Sequence, residues 1–316
     1  MQRDKVVDIS KGLGIFLSIF GHLNYTFLHA FIYMFHMPLF YFISGYLFNP
    51  KKYSFKQYVF RKLRTIIVPY FVLGAIIMAF DYFVYREVHF VELIIQKRYL
   101  PLWFLTSLFF TEIIFYIINK FISNDYYKII IVIMLFLGGN ILSNIVDFRL
   151  PWNIDSVCFS LAYYCFGYLF FLNKEKILNK KKILYVIAVI SLPIIFLVEM
   201  RLFNKSVDIF SNNYGIFPLN IISALSGIFI INGISSFIIK NKYLSIILCY
   251  IGENSLVFFA LQGIPTVAFI LNINAMVFEY SRIVYCIITV VELIFIVIIL
   301  SLINELLKIT KIKRLL

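Results

Sequence analysis

One apolar run near the start of the chain holds four side chains that can move protons or bind charge: Asp8, Lys11, Ser18 and His22. At about 100° per residue they fall, with His29, on one narrow stripe of a helix. Lys11 and His22 lie eleven residues apart, so they share a face and differ in depth by about 16 Å. A third histidine, His36, follows seven residues after His29. If the chain turns at His29, His22 and His36 each sit about 10 Å below the same surface, and two imidazoles face one cavity. An imidazole takes and returns protons near neutral pH. Two readings fit: a reactive site built on His22 with His36 assisting, or two rings that only hydrogen-bond neighbouring helices. Ionisable groups are costly in hydrocarbon and line cavities or pathways there, which favours the first reading for His22.

The elements that must position these groups are long and apolar. Val6 to Leu28 suffices to cross about 30 Å of hydrocarbon. Phe31 to Phe48 returns, carrying His36, Pro38, Ser44 and Gly45; Ser44 beside Gly45 reads as helix packing. The whole chain has 316 residues, 62% hydrophobic, 19% aromatic and 14% charged, a composition foreign to soluble domains. Apolar runs lie near 6–28, 31–48, 66–83, 103–121, 129–146, 156–172, 183–199, 218–239, 251–272 and 284–303. They predict an all-α, polytopic membrane helical bundle of about ten transmembrane helices. A single domain over 1–316 is expected, with no separate soluble domain.

Charge sets the expected orientation. Of 29 Lys and Arg residues, only Arg86, Lys97, Arg98, Arg149, Arg201, Lys205 and Arg282 fall on one side, and the rest gather at the N-terminus and the alternate connectors. The positive-inside rule then places both termini in the cytoplasm. The net charge of +13 reads as topology and contact with anionic lipid, and no nucleic-acid motif is present. The first run is long, interrupted by polar groups and without a small-x-small cleavage pattern, so uncleaved spans are expected to direct insertion.

Cys158, Cys165, Cys249 and Cys286 sit in or at the ends of apolar runs without CxxC spacing, which reads as structural thiols. The histidines have no nearby acid or cysteine to complete a ligand set, so no metal is expected. Two carboxyls inside apolar runs, Glu112 and Glu292, need partners there. Glu253, Asn254 and Ser255 read as the start of a helix after Gly252. Tyr85, Tyr99, Trp103, Trp152, Phe210 and Tyr214, in or beside the outer loops, read mostly as an interfacial aromatic belt.

The runs KGLGIFLSIFGH and IYMFHMPLFYFISGYLF resemble the opening of the acyltransferase 3 family, in its fucose-4-O-acetylase-like branch of integral membrane carbohydrate O-acyltransferases. That family begins with a basic residue and a histidine ten intervening residues later, matched here by Lys11 and His22. RKLR at 61–64, VPYF at 68–71 and LWFLTSLFFTE at 102–112 are similar to further family segments, and IGENSLVFFALQ at 251–262 to a late one that often ends in histidine. Here that last position is Gln262.

The resemblance implies a multi-pass protein of the bacterial cytoplasmic membrane. It implies transfer of an acyl group, most often acetyl, from cytoplasmic acyl-CoA to a sugar hydroxyl of a lipid-linked or cell-surface glycan. His22 would then act as general base, or as the nucleophile of an acyl-imidazole. Tyr33, His36 or Ser44 would orient it or polarise the carbonyl, and Glu112, inside a matched segment, would partner a histidine or the acceptor. Arg61 and Arg64, with Lys11, would neutralise the phosphates of the donor, acetyl-CoA; the plainer reading of these cations is topology. A different class of function, a proton-coupled glycan exporter or flippase, would use the same buried His, Lys and Glu residues as a proton relay.

Overall fold

The computed structural model describes residues 4–23, 26–95, 102–145, 150–202, 207–211, 213–266, 282–310 and 312–316. Lys97, Arg98, Tyr99, Arg149 and Lys205, named above, lie outside the described residues, as do residues 267–272 of the ninth run. The side chains of Arg282 and Cys286 are likewise not described.

The described residues are predominantly helical and form no strand. Among the described residues, seven helices are long and apolar enough to cross a membrane, or eight when one bent pair is taken as a single span. The difference from ten expected runs arises where polar residues and proline interrupt them. The first helix, α1 (Lys5–His22), stops at His22, and a short α2 (Thr26–Tyr33) stands before α3 (His36–Tyr46). Pro38 lies in the first turn of α3, where the missing N–H would have had no helical partner, so the helix restarts there. The ninth run breaks at Asn254 between α13 (Lys242–Glu253) and α14 (Ser255–Leu261), a pair bent by 70° with the turn that continues to Thr266.

Seven further helices follow the apolar runs: α5 (Val68–Tyr85), α7 (Trp103–Phe121), α8 (Asp125–Ile145), α9 (Val157–Leu172), α11 (Lys181–Leu202), α12 (Leu219–Ile238) and α15 (Arg282–Ile309). Three short helices lie between the runs, α4 (Phe55–Lys62), which continues through a π-turn at Leu63–Ile67, α6 (Phe90–Ile95) and α10 (Lys174–Asn179).

Helix α1 is gripped by α13 and α12, and α3 by α9. Glycines allow these approaches. A Cβ on Gly45 would overlap the backbone carbonyl of Tyr164, and one on Gly167 that of Phe42. Gly12 and Gly252 do the same between α1 and α13. Without a hydrophobic drive between helices in lipid, such close contact supplies the van der Waals attraction that holds a bundle together. Buried hydroxyls add to it. Tyr41 of α3 donates to Ser107 of α7 at 2.9 Å, Ser156 donates to Ser107 at 2.7 Å, and Thr111 meets Ser160 of α9 at 2.5 Å. Helices α3, α7 and α9 thereby form one polar-stitched block that fixes the height of His36.

Candidate active site

The C-terminal end of α1 and the start of α3 open onto a cavity of about 420 Å³. His22, His29, Tyr33 and His36 line one wall, and Trp103, Asp208, Phe259 and Gln262 stand among the other lining residues. His22 is exposed into it, whereas His36 is buried in the protein apart from that wall.

Hydrogen bonds to the backbone fix each ring. His22 Nδ1 lies 2.6 Å from the Ser18 carbonyl oxygen. A carbonyl only accepts, so Nδ1 carries the proton and Nε2 keeps its lone pair. That lone pair meets the Tyr33 hydroxyl at 3.1 Å. His36 Nδ1 lies 3.1 Å from the Ile32 carbonyl, and His29 Nδ1 2.8 Å from that of Gly21, so all three imidazoles share this tautomer. The Tyr33 ring joins them: it stacks on His29 at 3.7 Å between centroids and lies 4.5 Å from His36. The result is a neutral base with an accessible lone pair, held by the turn of helix beneath it.

Two polar groups face these rings from other elements. Gln262, after α14, is buried and its Oε1 lies 3.4 Å from the Ser18 hydroxyl. Asp208 stands on the loop before α12, its carboxylate held by the backbone N–H of Phe210 at 3.0 Å and the Ser211 hydroxyl at 2.5 Å. The sequence offered no signal for Asp208, because its position depends on the loop and not on helical spacing. Trp103 and Phe210, read from the sequence as part of an aromatic belt, line this cavity and lie 6.2 Å apart.

The remaining predicted residues stand elsewhere. Lys11 is 3.9 Å from Asp8, on the same helix and toward its N-terminus. Glu112 is buried and forms an ion pair with Lys62 of α4 at 2.5 Å, and Tyr58 donates to it at 3.4 Å. It therefore braces α4 against α7, and it does not line the histidine cavity. Arg61 is exposed, with its guanidinium over the Tyr53 ring at 4.8 Å. Arg64 is exposed in the π-turn. The structure thus brings His22 and His36 together and leaves Lys11, Glu112, Arg61 and Arg64 outside their cavity. Among the described residues no group of three or more His, Cys, Asp or Glu side chains could hold a metal ion.

A second cavity, of about 290 Å³, opens at the opposite end of the same two helices. Val7 and Ser10 of α1, Leu39 and Tyr46 of α3, and Lys174 and Lys181 are among its lining residues. The Lys174 ammonium donates to the Tyr46 hydroxyl at 2.6 Å and lies 3.6 Å from Asp4. The Tyr46 contact, ahead of the Asp4 charge, holds its pKa above the usual lysine value, so it stays charged. In the sequence the lysines at 174–182 had only a topological reading.

The bundle thus carries an imidazole with an accessible lone pair at one end and a lysine-rimmed cavity at the other. The family model for an acyltransferase domain matches residues 4–303, nearly the whole chain. No curated protein and no solved structure matches it. The chain is a membrane acyltransferase that belongs to the acyltransferase 3 family.

Proposed function

We propose that this acyltransferase moves an acyl group, acetyl in the first instance, from acyl-CoA to a hydroxyl of a cell-surface or lipid-linked sugar. The basic end faces the cytoplasm, in keeping with the charge bias, and the histidine end faces outward. The donor arrives at the end that carries Lys11, Arg61, Arg64 and the lysines of α10, and the acceptor at the cavity around His22.

The observation that carries this reading is the contact that orients the His22 ring. With Nδ1 bound to the Ser18 carbonyl at 2.6 Å, Nε2 is the ring's only proton acceptor, and it lies at the cavity wall. An acceptor hydroxyl that displaces the Tyr33 O–H from Nε2 gives up its proton there as its oxygen bonds to the thioester carbonyl carbon. The C–S bond then breaks, and the His22 imidazolium returns the proton to the leaving thiolate. The Tyr33 hydroxyl, released from Nε2, donates to the developing oxyanion. His36, fixed beside Tyr33, keeps that ring in place. Trp103 and Phe210 offer aromatic faces to a sugar, and Gln262 and Asp208 offer polar groups to its hydroxyls.

Membranes carrying the wild-type chain or His22→Ala at matched levels are incubated with radioactive acetyl-CoA, and label in envelope glycan is counted. Loss of a general base lowers the rate by about 10²–10⁴, so label is expected only with the wild type. Equal labelling removes His22 from the mechanism. If neither preparation labels glycan while glycan export depends on the protein, the exporter reading replaces this one.

A further inference from the structure

The histidine cavity has no lysine or arginine among its described lining residues, and beside its neutral imidazoles it holds one carboxylate, Asp208. Met37, Ile209 and Phe259, also in the lining, are apolar and buried. In such surroundings a charge acts on its neighbours more strongly than in water. The Asp208 charge reaches both His22 and Tyr33.

This carboxylate is fixed before any ligand arrives. Asp208 and Asn213 exchange backbone hydrogen bonds at 2.7 and 2.9 Å, which closes the short loop that carries Ile209 and Phe210. Val207 and Ile209, on either side of Asp208, are buried. Beyond the loop, Tyr214 stacks on Phe159 of α9 at 4.7 Å between centroids, and the Asn220 amide of α12 donates to the Tyr214 carbonyl at 2.6 Å. Oδ1 of Asp208 accepts from the Phe210 N–H and Oδ2 from the Ser211 hydroxyl, so each oxygen keeps a lone pair. Such a group accepts from sugar hydroxyls or an ammonium group and repels a second anion.

Resting on the acyl-transfer reading above, we propose that Asp208 selects the acceptor by charge. The cavity takes an uncharged or ammonium-bearing sugar, which donates to Asp208 while its reacting hydroxyl meets Nε2 of His22. It rejects a sugar that carries a carboxylate, sulfate or phosphate beside that hydroxyl. The added anion would face Asp208 with no lysine or arginine in the described lining to offset it.

The test reads the field at His22 without donor or sugar. Bromoacetamide and bromoacetate share one reactive carbon and differ in charge, and each alkylates an imidazole lone pair with loss of bromide. The purified full chain in detergent is treated with either reagent as wild type, Asp208→Asn and Asp4→Asn, and the rate at His22 is followed by peptide mass spectrometry. N-acetylhistidine gives the rate ratio without a protein field. Asp208→Asn removes the charge and keeps an oxygen for the Phe210 N–H. Asp4→Asn changes the net charge equally, beside Lys174 and about 27 Å along α1 from His22.

In the wild type the ratio of the bromoacetamide rate to the bromoacetate rate at His22 is expected to exceed that of N-acetylhistidine by about tenfold or more. Asp208→Asn should bring it to within about threefold of the free value, and Asp4→Asn should leave it as in the wild type. In the acetyl-CoA assay, label should reside on uncharged or amino sugars once the glycan is hydrolysed. Charge selection is overturned by a wild-type ratio equal to the free one, by a ratio that Asp208→Asn does not move, by an equal fall in Asp4→Asn, by failure of both reagents to alkylate His22, or by label on an acidic sugar. Each of these leaves acyl transfer standing. Absence of label in wild-type membranes overturns the acyl-transfer reading instead, while the alkylation ratio still decides whether the cavity selects by charge.

Discussion

The Tyr33 hydroxyl donates to Nε2 of His22 at 3.1 Å, and so occupies the position that a substrate hydroxyl takes in the proposed reaction. The same oxygen is then free to donate to negative charge that develops beside the base. Removing one donor of this kind costs about 10²–10³ in rate. Tyr33→Phe keeps the ring that stacks on His29 and lies beside His36, so its effect is confined to the hydroxyl. The expected result is a kcat lower by about tenfold or more, with KM for the acceptor little changed. A change confined to KM would show that Tyr33 only binds the acceptor.

The Lys62–Glu112 pair predicts a loss of stability in place of a change in chemistry. Glu112 is 4% exposed and Lys62 is 21% exposed, with their charged atoms 2.5 Å apart. Breaking a buried pair leaves a charge without its partner at a cost of about 3–5 kcal/mol, while replacing both by apolar groups is often neutral. Glu112→Gln should therefore lower the thermal midpoint in detergent and the yield of folded protein. The double variant Lys62→Met/Glu112→Leu should recover most of both. A shifted pH profile for acyl transfer at unchanged stability would return Glu112 to the chemistry around the histidines.

Much of this architecture was legible in the sequence, and what was not has physical reasons. The seventh helix runs over Trp103–Phe121, as its uninterrupted apolar run predicts. The histidine pair was legible because the distance from a turn fixes depth in a membrane hairpin, although the hairpin contains an extra short helix at Thr26–Tyr33. Phe35, with φ −137° and ψ −18°, breaks the helical path between Tyr33 and His36. That break lets Tyr33 fold back to His22 while His36 starts a new helix. The Lys62 partner of Glu112 was not legible because it comes from a different helix, and pairing between helices leaves no periodic trace. The lysine-rimmed cavity was silent for the same reason, being assembled from segments far apart in the chain, and Asp208 because its loop carries no helical spacing.

Packing at Gly45 gives a third prediction. Its added Cβ would overlap the Tyr164 carbonyl carbon and oxygen, which are backbone atoms and do not yield as a flexible side chain would. Gly45→Leu should force α3 away from α9 and abolish folded, monodisperse protein on size exclusion. The neighbouring Ser44→Ala removes only a hydroxyl and should leave elution and acyl transfer within about twofold, as for a site away from buried networks. A large loss of transfer with intact folding in Ser44→Ala would assign Ser44 a role in the reaction.

Gln262 stands where the resembled family segment often has histidine, so its substitution separates two roles for that position. Its Oε1 lies 3.4 Å from the Ser18 hydroxyl, and Ser18 supplies the carbonyl that fixes the His22 tautomer. Gln262 also lines the cavity, so in the proposed reaction its amide hydrogen-bonds the acceptor. An amide has no proton to give or take near neutral pH. It orients groups and does not relay protons. Gln262→Ala is therefore expected to raise acceptor KM and to lower kcat by less than His22→Ala does. The loss in kcat/KM should be about tenfold, the effect of one neutral hydrogen bond at roughly 1–1.5 kcal/mol. Gln262→His should recover part of the binding through its ring N–H. If Gln262→Ala instead matches His22→Ala in kcat with acceptor KM unchanged, the amide acts on the reacting atoms and the acceptor-binding assignment fails.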